Sequence, residues 1–79
     1  MKTRGIENAT RRLLGARKLG SASLLAQAEQ EAGHALVQAR AWLDRAAEGR
    51  AGEDLAADAN YAAIAAATEE LARVIAPAG

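Results

Sequence analysis

The apolar residues in the middle of the chain recur three and four positions apart. With Leu25 as the reference and 100° of turn per residue, one arc of about 120° contains most of the apolar side chains that follow: Ala28, Ala32, Ala35, Leu36, Ala39, Trp42, Leu43 and Ala46. The alternating spacing is typical of a helix that packs along a narrow stripe. The pattern therefore predicts an amphipathic helix over about residues 22–48, with a polar face on its other side.

A second helix is predicted over about residues 53–76, where larger apolar residues repeat the same spacing. Between the two helices, Gly49 favours a helix end and Gly52 a chain reversal. Glu53 and Asp54 place negative charge where a helix start favours it, and Pro77 favours a stop. A short connection makes the two helices an antiparallel hairpin.

The two apolar stripes predict how this hairpin packs. Folding the chain about its connection sets Trp42 against Tyr61 and places alanines opposite larger residues, as a closely spaced helix pair requires. The predicted core consists of Leu25, Leu36, Trp42, Leu43, Tyr61, Ile64, Leu71 and Ile75.

A shorter basic helix is predicted over about residues 5–19. Its apolar residues share one face, and basic residues seven positions apart occupy the other. The phase of its stripe does not continue past Gly20. Either the chain breaks there, with Ser21 or Ser23 as the N-cap of the next helix, or one long helix absorbs the slip. We favour the break, because glycine and serine are poor residues for a helix interior. The predicted docking surface of this helix comprises Ile6 and Leu13 with Arg4, Arg11 and Lys18 beside them.

The composition limits how large a core the chain can bury. Of its 79 residues 23 are alanine, whereas leucine, isoleucine and valine together number 14 and phenylalanine is absent. A buried methyl group contributes roughly 0.8 kcal/mol and a buried leucine about 1.5–3 kcal/mol. The alanines therefore raise helix propensity more than they build a core. We expect a protein partner or a homo-oligomer to complete the fold.

The formal net charge is zero, but the charge is unevenly distributed. Residues 1–20 carry six basic groups and one acidic group, whereas residues 21–79 carry four basic and nine acidic groups. We therefore interpret residues 1–79 as one small helical domain, with a basic helix in residues 1–20 and an acidic hairpin in residues 21–79.

One pair of residues has the spacing of a metal-binding unit. Glu31 and His34 form the Glu-x-x-His pair that di-iron bundles carry on a helix, and in this respect the segment resembles ferritin-like proteins. The resemblance implies a dimer, with Glu69 or Glu70 supplying further carboxylates. Because His34 points away from the apolar stripe, we favour a solvated helix face instead. We therefore predict no metal and no cofactor.

The sequence contains few residues that could support catalysis or membrane insertion. The chain contains no cysteine, and no serine or threonine lies near His34 in the helical arrangement, so we predict that the protein is not an enzyme. The basic residues Arg17 and Lys18 interrupt the only segment similar to a signal peptide, which we do not accept as one. No apolar run has the length of a membrane span. We expect a cytoplasmic protein.

Two segments are similar in spacing to known families. Gly5 to Ala9 with Leu13, followed by residues 32–40, resembles the N-terminal half of phage head–tail joining proteins, which implies a subunit of a phage-like particle. Residues 54–63 are similar to a helix of small HEPN-type domains. The arginine-to-histidine catalytic spacing of that family is missing, since no histidine follows Arg40.

Taken together, these features predict an all-α interaction or assembly protein that is an oligomer or a small subunit of a larger complex. The first alternative is a nucleic-acid-associated protein that uses the basic helix, which could neutralise phosphates. The second is a ferritin-like metal-binding dimer that uses Glu31 and His34.

Overall fold

The computed structural model describes residues 2–50 and 55–76 and shows an all-α protein in that part of the chain, which confirms the predicted fold class. Helix α1 spans Thr3–Leu19, α2 spans Ala22–Ala47 and α3 spans Ala59–Ile75, with a single turn of 3-10 helix at Leu55–Ala57 before α3. Each of the three α-helices packs against the other two. The result is an elongated three-helix bundle of 46 × 24 × 16 Å.

The chain breaks between α1 and α2, as predicted. Gly20 ends α1 in the left-handed conformation, with φ 70°, and its N–H donates to the carbonyl of Ala16 at 3.2 Å. Ser21 is the N-cap of α2, where its hydroxyl oxygen accepts from the Leu24 N–H at 3.4 Å. Because only two residues separate the helices, α1 and α2 run antiparallel.

The second connection differs from the prediction in where α3 begins. Gly49 adopts φ 72° just after α2, as a helix-ending glycine does. The helix predicted from residue 53 starts only at Ala59, because the carboxylate of Asp58 accepts from the N–H groups of Asn60 and Tyr61 and so provides the N-cap. The predicted roles of Gly52, Glu53, Asp54 and Pro77 lie outside the described residues.

The centre of the bundle combines large residues from α1 and α3 with alanines from α2. Leu13, Ile64 and Leu71 are completely buried, and α2 contributes the buried alanines 28, 32 and 39. Small residues on the middle helix allow both neighbours to approach closely. Of the predicted core, Ile64 and Leu71 lie at the centre, and Tyr61 is half-buried. The other five pack around the centre and are partly buried: Leu25, Leu36, Trp42, Leu43 and Ile75.

One predicted contact identifies the register of α2 against α3. The ring centroids of Trp42 and Tyr61 lie 6.4 Å apart with a tilt of 32° between the ring planes, which is within the range of favourable aromatic pairs. This contact confirms the predicted pairing at that level of the hairpin. With α1 and α3 both antiparallel to α2, these two outer helices run parallel to each other.

The predicted docking surface on α1 needs correction. Ile6 and Leu13 are 3% and 0% exposed, and they belong to the core shared with α2 and α3. The apolar stripe of α1 therefore packs within the chain, because a third helix supplies the apolar surface that the alanine-rich hairpin lacks. Only the basic part of that predicted surface remains exposed: Arg4, Arg11 and Lys18.

Two threonines lie inside the bundle. Thr10 and Thr68 are 8% and 5% exposed, and each hydroxyl donates to the carbonyl four residues earlier in its own helix, at 3.1 and 2.6 Å. These bonds satisfy the hydroxyl groups without a partner on another helix. In the part of the chain that the structure describes, every buried side-chain nitrogen and oxygen has a hydrogen-bond partner.

Candidate interaction surfaces

The outer face of α1 carries a row of cations. Arg4, Arg11 and Lys18 are exposed, and seven residues of helix separate neighbours in this row by about 10.5 Å along the axis. Arg11 donates to the side-chain oxygen of Asn8 at 3.2 Å. Glu7 and Glu70 line the same groove as Arg11, so the positive charge of this face is partly compensated there, whereas Arg4 and Lys18 have no ion-pair partner in the described part of the chain.

A group of large apolar side chains is exposed at the end of the bundle where α1 meets α2. Leu14, Leu19 and Leu24 are 46%, 72% and 46% exposed. In the register that brings Trp42 against Tyr61, Ile75 at the end of α3 lies level with residue 28 of α2. Helix α3 therefore stops short of Leu24, and the last turn of α1 and the first turn of α2 extend beyond it.

These leucines line two adjacent depressions, because Leu14 and Leu19 lie about 140° apart around α1. Leu19 and Leu24 line one shallow depression, and Leu14 lines another with Arg17 and Lys18. Gly15 borders both depressions, and a Cβ placed on it would meet no neighbouring atom within 4 Å. We call the surface formed by Leu14, Leu19, Leu24, Arg17 and Lys18 the end patch. Its leucines are bordered by Arg17 and Lys18 on one side and by the Arg12–Glu31 ion pair on the other.

The sequence patterns did not reveal the end patch. Leu14 and Leu19 are not part of the apolar stripe of α1, and Leu24 precedes the stripe of α2. The sequence nevertheless contained one indication, namely that these leucines lie outside both apolar stripes. A large apolar residue outside the buried face of a helix is expected to be exposed. Whether the leucines remain exposed in the bundle depends on where α3 ends, and the apolar stripes do not specify that position.

The metal-ligand candidates are held apart in this chain. Glu31 and His34 line a groove between α1 and α2, where Glu31 pairs with Arg12 at 3.2 Å. Glu70 pairs with Arg73 at 3.1 Å and lines a groove between α1 and α3, on the other side of α1. Glu69 is exposed on α3.

This arrangement does not favour a cation. The guanidinium of Arg12 neutralises Glu31 and would repel a metal ion beside it. Among the described residues, no three histidine, cysteine, aspartate or glutamate side chains form a group that could hold a metal ion. His34 is exposed beside Gln38 at the edge of its groove, which matches the favoured expectation of a solvated helix face.

The carboxylate of Asp58 is held by its neighbours at the start of α3. The pKa of its carboxyl lies below the ordinary value of 3.8, chiefly because the Tyr61 N–H donates to the ionised form. Arg50 adds to the effect, with its guanidinium 3.3 Å from the carboxylate, and desolvation opposes it. These interactions hold the start of α3 and have no evident catalytic use.

Comparison with known proteins identifies no relative of this chain. No protein family, curated protein or solved structure matches this chain. In the described part of the chain, none of the helices combines the length and apolar character needed to cross a membrane.

Proposed function

We propose that the protein is a non-enzymatic binding and assembly module that docks an acidic, amphipathic segment of a partner protein on its end patch. The observation that carries this proposal is the exposure of three leucines at one end of the bundle, with Leu19 at 72%. The chain has only 14 leucine, isoleucine and valine residues. Exposing three of them in adjacent depressions leaves the internal core poorer in large apolar side chains.

The energetics favour a macromolecular partner at this surface. Fully burying a leucine stabilises a complex by about 1.5–3 kcal/mol, and a contiguous apolar patch of a few hundred Å² is of the size that marks interaction sites. The three leucines of the end patch would anchor a helix that presents its own apolar face.

The charge at the edge of the patch indicates the kind of partner. Arg17 and Lys18 place positive charge beside Leu14. Two copies docked patch to patch would bring four cations together, which is unfavourable, whereas acidic residues flanking the apolar face of a partner would be attracted. The charges are expected to raise the association rate, and the leucines to determine how long the complex lasts.

The proposal can be tested with a designed peptide that has leucines on one helical face and glutamates at its flanks. We expect the amide resonances of isotope-labelled protein to shift at Leu14, Leu19 and Leu24 when this peptide is added. A matched peptide with lysines in place of the glutamates should bind at least about tenfold more weakly. The double variant Leu19→Ser/Leu24→Ser should lose the shifts while keeping its helix content. Shifts confined to other surfaces, or equal binding of both peptides, would contradict the proposal.

Nucleic-acid binding is the second candidate, and the exposed row of Arg4, Arg11 and Lys18 favours it. Three phosphate contacts would make the logarithm of the binding constant fall with the logarithm of salt concentration at a slope of up to about −2.7 for duplex DNA. Fluorescence anisotropy with labelled duplex DNA and single-stranded RNA measures this slope. Charge reversal at Arg4 and Arg11, which lie outside the end patch, should abolish nucleic-acid binding, and Leu19→Ser/Leu24→Ser should leave it unchanged. The opposite pattern is expected for the end patch.

A further inference from the structure

The face of α2 that points away from the bundle carries an unusual pair of residues. Val37 is 68% exposed, and Gly33 lies one turn before it. A Cβ placed on Gly33 would meet no atom within 4 Å, so no close contact inside the described chain requires a glycine there. Valine and glycine are both less favourable than alanine in an exposed helix, and alanine is the commonest residue of this chain. Helix propensity alone therefore explains neither residue.

The surroundings of this pair form a narrow surface that carries no charged residue at its centre between Ala26 and Ala41, and Asp44 lies at the same angle just beyond Ala41. At 100° per residue, Ala26, Gly33 and Val37 lie within about 40° of one another on α2, and Gln30 and Ala41 lie beside them. We call the surface formed by Ala26, Gln30, Gly33, Val37 and Ala41 the outer face of α2. From its first to its last residue it extends about 22 Å along the helix.

Charged residues lie along one edge of the outer face, in an order that is complementary to itself. Glu29 and Arg40 are both exposed, and they lie within about 20° of each other around the helix. Neither forms an ion pair within residues 2–50 and 55–76. One acidic and one basic residue therefore stand at opposite ends of the same edge.

We propose that the outer face of α2 is the interface of a two-fold symmetric homodimer in which the two α2 helices pack antiparallel. In this arrangement Gly33 of each copy lies opposite Val37 of the other. The contact therefore occurs twice, because the two-fold axis repeats every contact. Each valine side chain then fills the space above a glycine. The two helices approach closely there, since interhelical distance depends on the side chains at the contact.

The same arrangement pairs the charges. In antiparallel helices the corresponding edges face each other, and the level of Arg40 falls within one residue, about 1.5 Å, of the level of Glu29 in the other copy. Two equivalent ion pairs between Glu29 and Arg40 result. A parallel arrangement would instead place the two copies of this edge on opposite sides of the interface, so that neither ion pair could form. The charge order thus selects both the occupant, a second copy of this chain, and its direction.

The dimer is expected to be weak and to leave the end patch free. The outer face is short, so the interface belongs to the small class of specific contacts, below about 1,200 Å². Leu19 and Leu24 lie at the end of the bundle, outside the outer face. A dimer would therefore present two end patches, and a partner with two acidic segments would bind it more tightly than the monomer. The dimer itself does not depend on the end patch.

The first experiment is sedimentation equilibrium over about 10 µM to 1 mM protein, the range in which a small interface should associate. We expect a reversible monomer–dimer equilibrium. Gly33→Leu should weaken dimerisation at least about tenfold, because extra volume in a packed contact is poorly accommodated. The same change should not destabilise the monomer, since leucine is the better helix former and meets open space. Gly5→Leu in α1, which also meets open space, is the matched control.

A charge-exchange experiment tests the geometry itself. Glu29→Arg and Arg40→Glu should each weaken self-association about tenfold, because each turns two attractions into two repulsions. A mixture of the two variants should restore dimers, since every facing pair in the mixed dimer is again opposite in charge. A wild-type protein that stays monomeric at about 1 mM would overturn the proposal. So would a dimer that is insensitive to Gly33→Leu, or a mixture that does not associate.

Discussion

Replacing Leu13 by alanine tests whether the apolar stripe of α1 belongs to the core of this chain. Leu13 is 0% exposed. The change removes three buried carbon atoms, worth about 2.4 kcal/mol at roughly 0.8 kcal/mol each. The cavity that remains adds to this cost, so we expect a loss of about 2.5–4 kcal/mol. A chain of 79 residues has a total stability of about 4–12 kcal/mol, and small domains lie near the lower end.

The neighbouring residue provides the control. Leu14 is 46% exposed, so Leu14→Ala removes the same atoms from the same helix at about half the transfer cost, roughly 1 kcal/mol, and leaves no internal cavity. Urea unfolding followed by far-ultraviolet circular dichroism gives the free energy of unfolding of both variants. Equal losses for the two variants, or a loss below about 0.5 kcal/mol for Leu13→Ala, would refute the packing of α1 on α2 and α3. The control variant should instead weaken binding at the end patch.

Three further outcomes are expected. Trp42→Ala should cost about 3 kcal/mol, the lower end for an aromatic residue because Trp42 is only half-buried against Tyr61; an unchanged thermal unfolding curve would contradict this register. Ser21→Ala should cost about 1 kcal/mol through loss of the cap on the Leu24 N–H, whereas Ser21→Asp should preserve stability in the same denaturation assay. The pKa of Asp58 is lowered on folding, so its contribution to stability is present above its unfolded-state pKa and is lost as the pH falls through its folded-state pKa. Asp58→Asn keeps a capping side chain and should reduce the dependence of unfolding free energy on pH in the acid range; an identical dependence would show that other carboxyl groups govern it.

Local features of the sequence predicted much of the secondary structure. The break between α1 and α2 follows from Gly20 and Ser21, because the first tolerates a left-handed backbone and the second caps a helix start. The start of α3 was placed too early, since alanine-rich sequence around Leu55 gives no strong boundary and the decisive signal was the cap formed by Asp58. Short-range preferences of this kind operate within a few residues and can be read without knowing the fold.

Local sequence features could not predict which surfaces of the helices are buried and which are exposed. The spacing of Ile6 and Leu13 showed that something covers this stripe, but the same spacing suits an external partner and a third helix of the bundle. Of the end patch, only Lys18 was among the predicted docking residues, whereas Arg17 and the three leucines were missed. Whether Leu19 is exposed depends on how far α3 extends along α2, a distance set by the register between helices that are far apart in sequence.

The sequence by itself determined that this protein is helical, where its first two helices separate, and that its positive charge lies at the start of the chain. These properties depend on backbone preferences and on residue order, which act locally. Only the tertiary structure decided that α1 completes the core and that Leu14, Leu19 and Leu24 remain exposed. Which residues are buried depends on which helix faces pack against each other. In an alanine-rich chain the helix faces are small and similar, so several packing arrangements are possible. The larger side chains, packed around Leu13, Ile64 and Leu71, select one of them.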